Sequence, residues 1–240
     1  MIILFTDYGI EGPYIGQVQA VLLQHAPKEN VINLFADAPK QNPKACAYLL
    51  DAYTKDFPPG TIFFCVVDPG VGSFKDKPVV LRIDNRWFVG PDNGLFDIVA
   101  RHKSSIDCLE ITWLPEKLSA SFHGRDLYAP VCAMLANGDG VPGTSFKWKD
   151  RNNWPDDLAE IIYIDNFGNC ITGIRAEIIS DDKILRIANQ EILYADTFSC
   201  VQAGHIFWYK NSSGLIEIAI NQGDSAKTLS LGVGARIEVI

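Results

Sequence analysis

Apolar positions along this chain fall into short runs that break at charged or glycine-rich loops. Ile2 to Phe5, Val31 to Phe35 and Ile62 to Val67 are β-branched and aromatic runs of strand length. The first and third end abruptly, at Thr6-Asp7 and at Asp68, so buried strands deliver carboxylates at their C-terminal tips. Between them, Gln17 to His25 and Lys44 to Tyr53 read as helices. Val79 to Ile83 and Trp87 to Val89 flank Asp84-Asn85-Arg86, which predicts a hairpin. A helix through Leu95 to Ala100, a strand at Cys108 to Ile111 and a helix opening at Ser121 and running through Leu135 follow. The alternation predicts an α/β domain of three layers on a largely parallel sheet.

Asn137 to Pro155 lacks a period and reads as loop, so the domain boundary falls there: residues 1–150 form the α/β domain and residues 151–240 a second one. Beyond it, Glu160–Ile164, Ile171–Ile174, Ile184–Ile187, Ile192–Tyr194, Ile206–Tyr209, Leu215–Ile220 and Ala235–Ile240 are short runs separated by turns. That spacing predicts an antiparallel β-barrel or sandwich.

A formal charge of −8 argues against a sequence-independent hold on nucleic acid, which needs clustered Lys and Arg. The N-terminus carries no positive region, and no stretch approaches the roughly 18 apolar residues of a membrane span, which predicts a soluble, cytoplasmic protein. Six cysteines lie in apolar segments without a C-x-x-C pair, so they are expected to be buried free thiols, not zinc ligands or disulfides.

Three loops carry the polar groups: Asp7, the Asp68-Pro69-Gly70-Val71-Gly72 turn, and His123-Gly124-Arg125-Asp126. In an open α/β sheet, ligands bind in the crevice outside the carboxyl ends of the strands, where these loops converge. Arg125 and Asp126 fit a local ion pair as well as a ligand role. Asp165 to Asn169 fits a hairpin turn as well as a binding loop, and Asn211 to Gly214 reads first as a polar turn.

Taken together, these stretches resemble one family, the S-adenosylmethionine (SAM) hydroxide adenosyltransferases, adenosine-forming hydrolases related to the bacterial fluorinase and chlorinase. The matching residues are Thr6-Asp7-Tyr8-Gly9 with Pro13 to Gly16, Asp68 to Gly72, Gly90 to Leu95, Phe122 to Asp126 with Ala129-Pro130, Asp165 to Asn169, and Asn211-Ser212 with Gly214. They occur in the family's order over nearly the whole chain.

The resemblance implies an N-terminal α/β domain, a C-terminal β-barrel, and a homotrimer with active sites between the domains of neighbouring subunits. It implies hydrolysis of SAM to adenosine and methionine, with no metal or other cofactor. Asp7 would bind the ribose hydroxyls, Asp68 would stand beside the reacting carbon, and His123 would belong to the water-activating set. Asp165 and Asn169 would hold the methionine end and adenosine, while Ser212, Glu217 and the backbone of Ile220 would line the rest. Family hydrolases place an arginine seven residues after the aspartate of the Asp68 motif; Lys75 holds that place here, with the charge but without the planar five-donor fork. The halogenases carry a halide-binding serine just after the position of His123, where this chain has Gly124. The alternatives to the hydrolase are a module that binds adenosine or SAM with little turnover, and, further off, a halogenase.

Overall fold

The computed structural model of the chain describes residues 1–73 and 75–240. They form two compact units, one of residues 1–50 with 54–152, the other of residues 51–53 with 153–240.

The first unit is built from β1 (Ile2–Thr6), α1 (Tyr14–His25), β2 (Val31–Phe35), α2 (Pro43–Thr54), β3 (Ile62–Val66), β4 (Pro78–Ile83), β5 (Arg86–Pro91), α3 (Asp97–Ala100), β6 (Ile106–Ile111), α4 (Ala129–Asn137) and β7 (Gly143–Phe146). Its seven strands lie in the order β2-β1-β3-β5-β4-β6-β7. β1 and β3 run without a polar residue until Thr6 and Asp68 because both faces of the sheet are covered. Ile2, Leu4, Ile62, Phe64 and Val89 pack on one face with Val18 and Leu22 of α1 and Val131 and Cys132 of α4. On the other face Phe63 stacks on Phe88 with ring centroids 4.9 Å apart, and Phe5 meets Phe35 at 5.5 Å.

The sheet is mixed, which corrects the expectation of a largely parallel one. The ladders β2–β1, β1–β3 and β3–β5 are parallel, whereas β5–β4, β4–β6 and β6–β7 are antiparallel. The hairpin causes the reversal: Asp84 and Asn85 adopt left-handed φ of 49° and 60°, the paired geometry of a tight turn, and β4 must fold back on β5. Following the ladders across, β6 again runs in the direction of β1, β3 and β5. The carboxyl ends of those four strands therefore share one edge of the sheet.

Two local expectations also change. The stretch expected to be loop contains β7, which extends the sheet from β6. The helix expected from Ser121 starts instead as a π-type turn, Gly124–Tyr128, before α4 takes over. Pro130 has no N–H to give to the preceding turn, and the Ala129 N–H reaches back to the Gly124 carbonyl.

The second unit comprises β8 (Leu158–Ile164), β9 (Cys170–Arg175), β10 (Leu185–Ile187), β11 (Gln190–Ile192), β12 (Ile206–Lys210), β13 (Leu215–Ile220), a short α5 (Ser225–Thr228) and β14 (Glu238–Val239). These pair as two antiparallel sheets, β11-β10-β14 and β12-β13-β9-β8, within the expected barrel-or-sandwich class. The sheets meet at two seams, where Glu160 bridges Arg236 and Tyr194 bridges Trp208, each with backbone hydrogen bonds on either side. A shared core of Ile161, Ile174, Leu185, Trp208, Ile216 and Ile218 lies between them.

Five of the six cysteines are buried, as expected, but Cys200 is exposed. No helix among the described residues is long and apolar enough to cross a membrane.

Candidate active site

In the first unit, β1 and β3 are in register from Ile2 opposite Ile62 to Thr6 opposite Val66, so their tips project side by side. Asp7 and Asp68 stand just past those tips. The chain departs from β1 toward β2 on one side, while β3 leads to strands on the other. This reversal opens a crevice at the carboxyl edge between the two aspartates.

Both carboxylates are held by backbone. Asp68 Oδ1 accepts the Gly70 N–H at 3.0 Å, closing the loop on its own root, and Ser73 Oγ donates to the Gly70 carbonyl at 2.6 Å. Asp7 Oδ2 accepts the Gln41 N–H at 2.9 Å. Sequence reasoning missed Gln41; its left-handed φ of 55° turns that N–H, and nothing in the residue type signals it.

His123 completes the group, although it does not extend from a strand tip as expected. It stands at the mouth of the π-type turn. Asp7, Tyr8, Asp68, Val71, Phe122 and His123 together line a cavity of about 60 Å³. A water molecule's share of liquid volume is about 30 Å³, so this is space on the scale of one or two waters. Tyr8 and Phe122 meet edge to face at 5.7 Å and Tyr14 packs on Phe122 at 5.3 Å, forming an aromatic wall. Gly124 is required beside it, because a Cβ there would lie 2.0 Å from the Tyr8 hydroxyl.

Burial raises the pKa of Asp68; the Gly70 N–H opposes this, Asp76 and Asp7 add to it, and His123 counters. Asp7 is raised by burial too, against the Gln41 N–H. The Tyr8 phenol is pushed up strongly by burial and by the two carboxylates. Two half-buried acids thus share a small polar space with an imidazole, an arrangement able to orient a water and take its proton.

Arg125 is committed elsewhere. Its Nε donates to Asp126 Oδ1 at 2.6 Å and its Nη2 to Oδ2 at 3.0 Å, with the guanidinium 5.1 Å over the Phe122 ring. The local ion pair is therefore the reading the geometry supports. Lys75 lies exposed on the loop beyond Gly72, its backbone N–H 3.4 Å from Ser73 Oγ, and Lys77 pairs with Glu110 at 2.5 Å.

The remaining site residues from the sequence gather in the second unit around a cleft of about 1060 Å³, which Asp165, Asn169, Ser212, Glu217 and Ile220 all line. Asp165 roots the β8–β9 hairpin loop: its Oδ1 accepts the N–H groups of Phe167 and Asn169 at 2.9 and 2.8 Å, and its Oδ2 accepts Asn169 Nδ2 at 3.0 Å. The turn and this part of the cleft wall are thus the same residues. Asn169 keeps a free Oδ1 that is buried without a partner. On β13, Glu217 is buried and accepts the Tyr209 hydroxyl and, at 2.9 Å, Asn211 Nδ2. Burial raises its pKa, and the two hydrogen bonds oppose the rise. Ser212 is exposed at the turn tip, and the Ile220 carbonyl accepts the Gly223 N–H at 3.0 Å. Tyr209 went unnoticed in the sequence. The β12–β13 ladder sets Asn211 opposite Leu215 and so pairs Tyr209 with Glu217, a register one residue off the count outward from Asn211 and Gly214.

A curated relative from Salinispora arenicola, named (R)-S-adenosyl-L-methionine hydrolase, is 32% identical over 98% of this chain and 95% of its own length. One of the same name from Thermus thermophilus is 31% identical over 98% and 97%. Among solved structures, an uncharacterized conserved protein from Thermotoga maritima superposes with a TM-score of 0.84 at 30% identity, covering 100% of this chain and 99% of that one. A conserved hypothetical protein from Thermus thermophilus gives 0.77 at 29% identity, with coverage of 100% and 99%. Residues 2–144 match the SAM hydroxide adenosyltransferase N-terminal domain and residues 159–238 its C-terminal domain, and on that evidence the chain belongs to the SAM hydroxide adenosyltransferase family.

Proposed function

We propose that this protein is a SAM hydrolase, splitting S-adenosyl-L-methionine and water into adenosine and L-methionine. The observation that carries the reading is the convergence of Asp7, Asp68 and His123 on a water-scale cavity at the carboxyl edge of the sheet. The water oxygen forms a bond to ribose C5′ as the C5′–sulfur bond breaks. The bonding pair leaves with sulfur, which becomes the neutral thioether of methionine, and the water's proton passes to Asp68 or His123 and on to solvent. Sulfonium is already a good leaving group, so the protein's part is to hold the water in line and keep the pocket nearly dry. That chemistry needs no cofactor.

In this reading Asp7 accepts hydrogen bonds from the vicinal ribose diol, for which two carboxylate oxygens suit. Asp68 and His123 orient and deprotonate the water. The cleft of the second unit takes the rest of the ligand through Asp165, Asn169, Ser212, Glu217 and the Ile220 backbone. A halide site fits less well: a serine at position 124 would drive its Cβ into the Tyr8 hydroxyl. The test is incubation with the separated (R) and (S) sulfonium epimers, since the relatives' names specify (R), followed by chromatography. Equimolar adenosine and methionine are expected, unchanged by added chloride or fluoride. No adenosine from either epimer would overturn the reading.

Lys75 is proposed to supply positive charge at the rim of the Asp68 loop. Lys75→Arg should then keep kcat within a few-fold, while Lys75→Ala should lower it about tenfold, the equivalent of about 1.4 kcal/mol. Full activity in Lys75→Ala would leave the lysine as a solvated surface charge.

The working assembly is proposed to be a cytoplasmic homotrimer in which each active site draws Asp68 from one subunit and Asn169 from its neighbour. Asp68→Asn and Asn169→Ala subunits, each weak alone, should regain turnover when co-expressed and purified as mixed trimers. Mixed assemblies no better than the sum of the two, or an active monomer, would contradict this.

A further inference from the structure

A further cluster of charge lies at the same sheet edge, behind the Asp68 loop. Asp92 follows the carboxyl end of β5, and Asp76 sits in the loop that returns from Asp68 to β4. Their side chains are 14% and 12% exposed, so two carboxylates are largely withdrawn from water here. Arg151 reaches both: its Nη1 lies 3.3 Å from Asp76 Oδ1 and 3.7 Å from Asp92 Oδ2, and it also donates to the Asp92 main-chain carbonyl. Asp76 in turn faces Asp68 across Gly70. A Cβ on Gly70 would stand 3.1 Å from Asp76 Oδ2 and 3.5 Å from Asp68 Oδ1.

Arg151 does not dangle from a loose connection. Its neighbours are pinned: Asp150 Oδ2 accepts from Arg101 Nε and Nη2 at 3.0 and 2.5 Å, and Asn152 donates to the buried Asp97 through both N and Nδ2, at 3.2 and 2.9 Å. The Asp68 loop is tied to the same place, since Asn93 Nδ2 donates to the Val67 carbonyl and the Asp92 N–H to that of Lys77, each at 2.8 Å. A preset guanidinium thus meets a loop already fastened at both ends, at the point where a carboxylate presses on the catalytic one.

We propose that Arg151 is a positioning residue for the reaction, acting through Asp76 to hold the Asp68 loop in place and to offset the negative charge behind Asp68. This rests on the reading of Asp68 as the catalytic carboxylate. The charged and titratable groups facing Asp68 are Asp76, Asp7, His123, Tyr8 and Tyr128. Asp76 favours the protonated form of Asp68, and Arg151 opposes Asp76. Removing Arg151 should therefore make Asp68 harder to ionise.

The experiment compares wild type, Arg151→Ala, Arg151→Lys, Asp76→Asn and the Arg151→Ala/Asp76→Asn double variant. Arg151→Ala should lower kcat about tenfold with KM within about twofold, and move the acid limb of kcat/KM up by about half a pH unit. Arg151→Lys should recover most of kcat because the charge is kept. Asp76→Asn should move the limb down, and in its background Arg151→Ala should move the limb no further. Titration of the Asp68 carboxyl by 13C NMR, in selectively labelled protein, reads the same shifts without turnover. An inactive wild type would therefore sink the hydrolase reading alone and leave the clamp decided by the titration. Unchanged kcat and Asp68 titration in Arg151→Ala, or an equal shift with and without Asp76, would overturn the proposal.

Discussion

Asp68→Asn is expected to remove nearly all turnover, by roughly two to four orders of magnitude, while leaving the fold intact. Asparagine keeps an oxygen for the Gly70 N–H at the same place, so the loop closure survives. What the proposed mechanism loses is the negative charge beside the reacting water and one of the two acceptors for its proton. Stability should not fall. Burial raises the folded pKa of Asp68 above its ordinary value of 3.8, so at neutral pH the ionised side chain costs the folded state something that the amide does not. The sign follows from the direction of the shift: the cost is present above the folded pKa and vanishes as pH falls below the unfolded one. The melting temperature of Asp68→Asn at pH 7 should equal or exceed that of wild type, and any gain should shrink on acidification toward pH 4. Scanning calorimetry with a turnover assay on the same sample checks both halves. Wild-type turnover in the variant would remove Asp68 from the mechanism, and a collapse in melting temperature would make its role structural.

Asp7→Ala should weaken adenosine binding by about 1.5–3 kcal/mol, or about 10- to 150-fold in Kd, if two charge-assisted hydrogen bonds to the ribose are lost. Alanine also strands the Gln41 N–H, which Asp7 satisfies at 2.9 Å. Asp7→Asn separates the two effects, because it retains an acceptor for Gln41 but no charge for the diol. Its loss should be intermediate. Titration calorimetry with adenosine, repeated with 2′,3′-dideoxyadenosine, locates the contact: the dideoxy ligand should bind wild type and Asp7→Ala about equally. Unchanged adenosine affinity in Asp7→Ala would take this carboxylate out of the ribose site.

Much of this was legible in the residues because it depends on neighbours in the chain. An apolar run that stops at an acid announces a buried strand with a carboxylate at its tip, and Ile2 to Asp7 and Ile62 to Asp68 read that way at once. The Asp84-Asn85 hairpin was equally plain, since the left-handed pair that makes it is a property of two residues. The ordered motifs from Thr6 to Gly214 were enough to name the family. The reversal that the hairpin imposes on half the sheet is not legible in the same way, because the partner of a strand edge is chosen by the whole layer and not by the strand.

Only the tertiary structure settled which side chains remain available for chemistry. Asp165 and Asn169 fit a turn and a binding loop equally well in the sequence, and the fold spends the Asp165 carboxylate on the turn while leaving Asn169 Oδ1 unpaired. Arg125 closes on Asp126, Lys77 on Glu110, and Cys200, expected inside, faces out. Arg151 lies in a stretch without any periodic signal, 83 positions beyond Asp68 by residue number, yet it reaches the carboxylate behind that residue. The sequence by itself determined the strands, the acids at their tips and the family. Pairing of charges at long range, desolvation and packing decided the rest, since those energies depend on distances that exist only once the chain has folded.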